Sequence, residues 1–275
     1  MTKDITETMK HAILVIGHGE NADVLQETIN ILDDPDIDFY IHWDKRFKCP
    51  KLTSNYSSLV FVESMKNNWG SDLQVIVEKR LLEAVADKNY AYIHLISAQD
   101  MPLMTPKCFK DFFKNDVYLG FFKMNGLEER VKYYYPVRYL NLRKKPFLLK
   151  KVFVKGYITV QKLLKVDRLK NYQGSLKKGS NWFSFKGKYI KRVLNFEDSL
   201  FMHSFLADEL YIQTILNEFE NDPKNIGNAR YIDWDRGRPY TFTIDDIAEL
   251  KALVNTKYCF ARKVADSEVV KQVFV

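Results

Sequence analysis

Asp208 and Glu209 stand together in Ala207–Asp208–Glu209–Leu210, at the start of a segment, Ala207–Phe219, whose spacing predicts a helix. A carboxylate there is either an ordinary first-turn acid stabilised by the helix N-terminus or a general base that takes a proton from an attacking hydroxyl. Asp208 competes with Glu209 for either role. Metal chemistry needs acids at closer spacing than the chain offers after its fourth apolar run, where Ser97–Ala98–Gln99–Asp100 supplies a single carboxylate. Asp233–Trp234–Asp235 has the spacing of a metal-binding pair, but both aspartates can pair with Arg236 or Arg238. No metal is therefore expected. Charge developing on a leaving group would then fall to fixed cations, and the last third provides Arg230, Arg236, Arg238, Arg262 and Lys263, which could equally solvate a surface.

Other chemistries lack their residues. No Gly-x-Ser-x-Gly elbow, phosphate-binding Walker loop or Gly-x-Gly-x-x-Gly fingerprint is present. The histidines 11, 18, 42, 94 and 203 lack metal-ligand spacing, and His42 and His94, inside apolar runs, read as satisfied core residues. Cys49, Cys108 and Cys259 are too scattered for a disulfide framework and fit a reducing compartment.

Elements must position these groups. His11–Gly17, Asp38–Trp43, Leu59–Val62 and Tyr90–Ile96 read as strands; Asn21–Leu32, capped by Asn21, and Asp72–Ala86 read as helices. This alternation predicts an α/β fold, a Rossmann-like, mostly parallel sheet flanked by helices in a single domain. Ligands of such sheets sit at the carboxyl ends of the strands, which places His18, Asp44, Glu63, Ser64, Gln99 and Asp100 on one rim. Tyr118–Gln173 reads as irregular, Gly174–Lys186 as a turn entering a strand, and Gly187–Asn195 as helical.

Of 275 residues, 46% are hydrophobic, enough for a sizeable core, and the formal net charge is +7. The charge is local. From Arg130 to Lys170 there are thirteen Lys or Arg and one acid, Asp167, for a net +12, leaving −5 elsewhere. Interleaved tyrosines would suit a nucleic-acid surface, but no recognised nucleic-acid motif accompanies them. Arg143–Lys144–Lys145 beside Pro146–Phe147–Leu148–Leu149 would suit an anionic membrane, and a merely solvated basic face explains the same residues. The polar stretch Met1–Lys10 has no signal-peptide character, and no apolar run is long enough to span a bilayer. A cytoplasmic protein is expected, with 130–170 able to rest on the inner face of a membrane.

Taken in order, Phe39–Asp44, Val60–Ser64, Asn68–Ser71, His94–Leu103, Gly179–Phe183, Ala207–Leu210, Arg230–Trp234 and Phe260–Lys263 resemble the core-2/I-branching N-acetylglucosaminyltransferase family, which includes the peptide O-xylosyltransferases. The resemblance runs along nearly the whole chain and rests on the ordered set rather than on one motif. It implies a GT-A fold over residues 1–275, with 1–115 the nucleotide-sugar-binding half and 116–275 the acceptor-binding and catalytic half. It implies inverting transfer of a sugar (GlcNAc, xylose or similar) from a UDP-sugar to a glycan or lipid-linked acceptor, without metal or other cofactor and without nucleic acid as partner. Glu209 matches the family's catalytic base. Lys263 matches its diphosphate-binding lysine, with Arg262 beside it and Arg236 and Arg238 both open for the second cation. His18, Asp44, Glu63, Ser64 and Asp100 would complete the donor side. Glu128–Lys132 resembles the acceptor-binding segment and brings in Arg130 and Lys132; Asp208 and Trp182 would stand with them, although Trp182 reads equally as a core residue. Lacking the membrane anchor and disulfides of animal members, the sequence looks like a bacterial cytosolic member serving surface-polysaccharide or glycoconjugate assembly.

Overall fold

Seven successive residues of low polarity can be buried in a strand only if both its faces are covered. His11–Gly17 meets that condition as β1, buried along its whole length in the computed structural model, which describes residues 10–275. Met1–Met9, most of the polar stretch read above as lacking signal-peptide character, lie outside the described residues. Ala12, Leu14 and Ile16 enter one core with Val75, Leu81, Phe185 and Tyr211, while Ile13 and Val15 enter another with Leu25, Ile29, Phe39 and Phe109. The strand's period of two feeds both layers.

The chain continues through α1 (Asp23–Ile31), β2 (Ile37–Trp43), β3 (Leu59–Phe61), α2 (Leu73–Glu83), β4 (Tyr92–Ser97), β5 (Asp100–Pro102), α3 (Pro106–Phe112), β6 (Val117–Tyr118), β7 (Phe121–Phe122), α4 (Glu129–Lys132) and α5 (Phe147–Leu163). There follow β8 (Lys178–Gly179), β9 (Ser184–Lys186), α6 (Ile190–Leu194), α7 (Tyr211–Ile215), β10 (Arg230–Ile232), α8 (Ile247–Leu253), β11 (Phe260–Arg262) and α9 (Ser267–Val273). The main sheet has the order β3-β2-β1-β4-β9-β6. The first four strands are parallel and β9 runs antiparallel to both β4 and β6. A smaller sheet, β10-β11-β5, sets the C-terminal third against the end of β4, and α8 and α9 share its core.

This is the mixed α/β, mostly parallel architecture expected from the alternation. Helix α1 begins at Asp23, and Asn21 Oδ1 accepts from Asp23 N at 2.6 Å just before it. Two segments differ from expectation. Ala207–Phe219 is not one helix: a 3-10 turn, Ala207–Glu209, precedes the short α7, and a second 3-10 turn follows at Asn217–Asn221. The stretch expected to be irregular contains the 17-residue α5, the longest helix among the described residues. Its apolar residues do follow a helical period, but they face outward, so the usual link between period and burial is missing.

Candidate active site

The carboxyl ends of β1, β2 and β4 form the predicted rim, and its backbone is tightly fitted. β1 ends at Gly17, in register with Trp43 at the end of β2; a Cβ on Gly17 would lie 2.1 Å from the indole. One step further on, Asp44 is 2% exposed, accepts from Arg46 N and Nε at 2.9 Å each, and from Asn67 N at 3.1 Å. These partners lower its pKa against the opposing effect of burial, which is the larger single influence. His18 is exposed beside it, within electrostatic reach of Asp44, Arg143, Arg46 and Arg262. Glu63 turns outward, 83% exposed, to pair with Arg80 at 3.2 Å, and Ser64 is half-buried beside it.

Asp100 and Arg262 meet where the two sheets join. Register pairs Arg262 with Asp100 across β11 and β5. Asp100 is 1% exposed and accepts from Ser97 N at 2.7 Å, Ser97 Oγ at 3.0 Å and Arg262 Nη1 at 2.6 Å. The guanidinium lies 4.1 Å from the Trp182 ring centroid, a cation–π stack. Trp182 thus faces the cation expected on the donor side, and part of it packs on the core. Next in sequence, Lys263 is half-buried and enters no ion pair among the described residues; its carbonyl accepts from Phe242 N at 2.9 Å, tying it to the segment after Arg238.

The other C-terminal cations divide by surroundings. Arg230 is buried and donates to the carbonyls of Asn228, Leu95 and Phe183 and to Ser184 Oγ, so it is a structural cation. Arg236 is held by Asp233, Asp246 and Glu249 and stacks on Tyr240, leaving its guanidinium little to offer a ligand. Arg238 is exposed and makes no ion pair among the described residues. Asp233 is committed to Arg236 and to the backbone amides of Asp235 and Arg236. Among the described residues, no group of three or more His, Cys, Asp or Glu is placed to hold a metal ion.

Glu209 is positioned by a stitched loop. Phe205 N donates to Arg130 O at 3.0 Å, Leu206 N to Gly70 O at 2.9 Å, and Leu206 takes a left-handed conformation, φ 52°, before the 3-10 turn. The Glu209 carboxylate is one-third exposed. Its Oε2 accepts from Arg130 Nη1 at 2.7 Å and lies 3.7 Å from Lys178 Nζ; Oε1 has no partner among the described residues. Arg130 was legible in the sequence. Lys132, two residues on, points elsewhere and pairs with Asp167 at 3.1 Å. Lys178 is the second cation beside Glu209. No motif marked Lys178; its ladder did, because a Cβ on the adjacent Gly179 would lie 1.7 Å from Gly120 O.

Behind Glu209 lies a second acid. Asp208 is partly exposed as a residue, but its Oδ1 is sealed and unpartnered. Burial first, and the charge of Glu209 second, push its carboxyl up to about 7. Glu78 on α2, wholly buried with both oxygens unpartnered, is raised well above the usual carboxylate range by burial and by Asp208. A raised carboxyl next to a salt-bridged one separates the two acids of the pair: Glu209 is the paired, accessible member.

Both core histidines are buried, but only His94 has both ring nitrogens partnered; His42 Nδ1 has no partner among the described residues. His94 bonds to His11 at 2.9 Å and to Ser184 Oγ at 2.8 Å, and His42 Nε2 accepts from Met65 N at 3.0 Å.

A mostly parallel sheet of this kind takes its ligands at the carboxyl ends of its strands, as α/β enzymes that bind nucleotides do. The chain belongs to the core-2/I-branching family: the family model described as Core-2/I-Branching enzyme matches residues 12–252. It is therefore a glycosyltransferase, of a family that in general moves sugars from nucleotide-sugars to glycans. The match ends before Phe260–Lys263, so the role of Lys263 rests on that short motif. No curated protein matches the sequence.

Proposed function

We propose that the protein transfers a sugar from a UDP-sugar to a hydroxyl of a glycan or glycoconjugate, with inversion, without metal, and with Glu209 as base. One observation supports this most. The segment Lys178–Trp182 touches Glu209 at one end and Arg262 at the other. Four residues of chain span at most about 14 Å, so the Cα atoms of Lys178 and Trp182 stand within that distance, and this reading puts the sugar diphosphate between the carboxylate and the C-terminal cations.

In this reading Glu209 Oε1 accepts the acceptor hydroxyl's proton as that oxygen bonds to the anomeric carbon. The bond from the anomeric carbon to the diphosphate oxygen breaks, and its electron pair leaves with UDP. Arg130 and Lys178 fix the carboxylate through Oε2. Lys263 and Arg238, neither engaged in an ion pair among the described residues, neutralise the departing diphosphate. Arg262 is largely neutralised by Asp100 and serves to hold Trp182. A role in bacterial surface-polysaccharide assembly suits a glycoconjugate acceptor.

Donor screening in EDTA tests the proposal. UDP release from one UDP-sugar should require acceptor and survive chelation. Glu209→Gln should lower kcat by about 10²–10⁴-fold while UDP binding by calorimetry is kept. Normal turnover by that variant would remove Glu209 from the mechanism. Loss of activity in EDTA, restored by Mn²⁺, would return Asp233 or Asp235 as ligands.

A further inference from the structure

Helix α5 carries its apolar side outward. Of its 17 residues only Gln161 is buried, and its amide clasps the backbone of Tyr134, accepting from N and donating to O at 2.8 Å each. At 100° per residue, Leu148, Leu149, Val152, Phe153, Val160 and Leu163 fall within less than half the circumference, and each is 53–77% exposed. No charged residue of the helix shares that sector. Lys151, Lys155 and Lys162 border it on one side and Lys150 on the other, with Lys144, Lys145 and Lys165 at the ends. Asp167 is the only acid between Arg130 and Lys170. Continuous exposed apolar surface of this kind marks an interaction site, and no helix among the described residues is long and apolar enough to cross a membrane.

We propose that α5 lies in the headgroup layer of an anionic lipid surface, apolar sector inward and lysines on the phosphates. Charge selects this occupant. A second copy would bring two strongly basic surfaces together, whereas anionic lipid neutralises them, at about 1 kcal/mol for each lysine near the surface. An apolar face rimmed with lysines is the composition of helices that lie in the bilayer interface. The inner face of the same helix, through Val154 and Ile158, roofs a cavity of about 700 Å³ also lined by Trp69, Tyr135, Phe205 and Glu129, the neighbour of Arg130. Docking through α5 sets that cavity at the lipid surface. The inference does not depend on the transferase chemistry, because its readout is binding.

The full chain should co-sediment with vesicles of phosphatidylcholine containing one-third phosphatidylglycerol, at least about 10-fold more tightly than with phosphatidylcholine alone, and added salt should weaken it. Leu149→Ser/Phe153→Ser/Leu163→Ser, all at exposed positions, should lose at least about 10-fold in affinity with an unchanged melting temperature. Lys144→Glu/Lys145→Glu/Lys155→Glu/Lys165→Glu should abolish the preference for anionic lipid. Lys150 is left intact because its Nζ donates to the carbonyls of Asn141 and Lys144. Absence of binding to anionic vesicles at low salt would overturn the proposal. So would binding indifferent to the serine substitutions, which would mean a diffuse basic surface. A dimer seen by light scattering and dissolved by those substitutions, with no lipid binding, would assign the face to a second copy instead.

Discussion

Two neighbouring acids, one residue apart, live in opposite environments. Glu209 is anchored by two cations with one oxygen open, and Asp208 is sealed beside Glu78. If Arg130 acts by fixing the base, Arg130→Ala should lower kcat by roughly 10²-fold, the cost of misplacing a catalytic group. Arg130→Lys should recover part of the loss, and KM for the donor should change little; steady-state kinetics on the three proteins decides it. Asp208 predicts a pH dependence of stability. Its folded pKa, about 7, lies above the value near 4 of an unfolded aspartate. Between those values the unfolded chain has released a proton that the folded chain keeps, so stability falls as pH rises from about 4 to 7 and then levels off. Asp208→Asn should remove the Asp208 share of this slope, leaving that of Glu78, and stabilise the fold near neutral pH, most visibly above pH 7. Denaturant melts at several pH values would show an unchanged slope if the burial argument is wrong.

At the scale of elements, the site depends on short pieces in close register rather than on long ones. β7 and β8 are two residues each, yet their ladder sets Lys178 against Glu209 and leads to Trp182. Gly179 allows it, since any Cβ would strike Gly120 O and the Gln213 side chain. Gly179→Ala should therefore destabilise the protein by about 1–3 kcal/mol, in the manner of an overpacked core, and reduce kcat with it. Urea unfolding and turnover measured together test this, and a variant of native stability and activity would show that the ladder is slack. Helix α5 makes the opposite point. It is long and regular but contributes one buried side chain, so its sequence answers to what lies outside the molecule.

Across the whole molecule the charge is polarised. A net +12 lies between Arg130 and Lys170, and −5 over the remainder. Much of the fold was legible in the sequence: β1, β2, β3 and β4, with α1 and α2 between them, follow from apolar runs and helical spacing that have only one way to be covered. The rim at the strand ends was legible as positions but less so as roles. Asp44 and Asp100 stand at their predicted places, yet each is engaged by an arginine, Arg46 or Arg262. Arg236, one of two open choices for the second cation, is occupied by three carboxylates, and only the surroundings could show that.

By itself the sequence determined the layered α/β architecture, the candidate base and the basic stretch, because periodicity, local acid pairs and charge are properties of neighbours along the chain. Tertiary structure decided the rest. It chose Lys178 over Lys132 to accompany Arg130, separated Glu209 from Asp208 by burial, and turned the apolar side of α5 outward. Each of these depends on which distant residues approach, and an ion pair spanning 79 positions, Arg130 to Glu209, leaves no local trace.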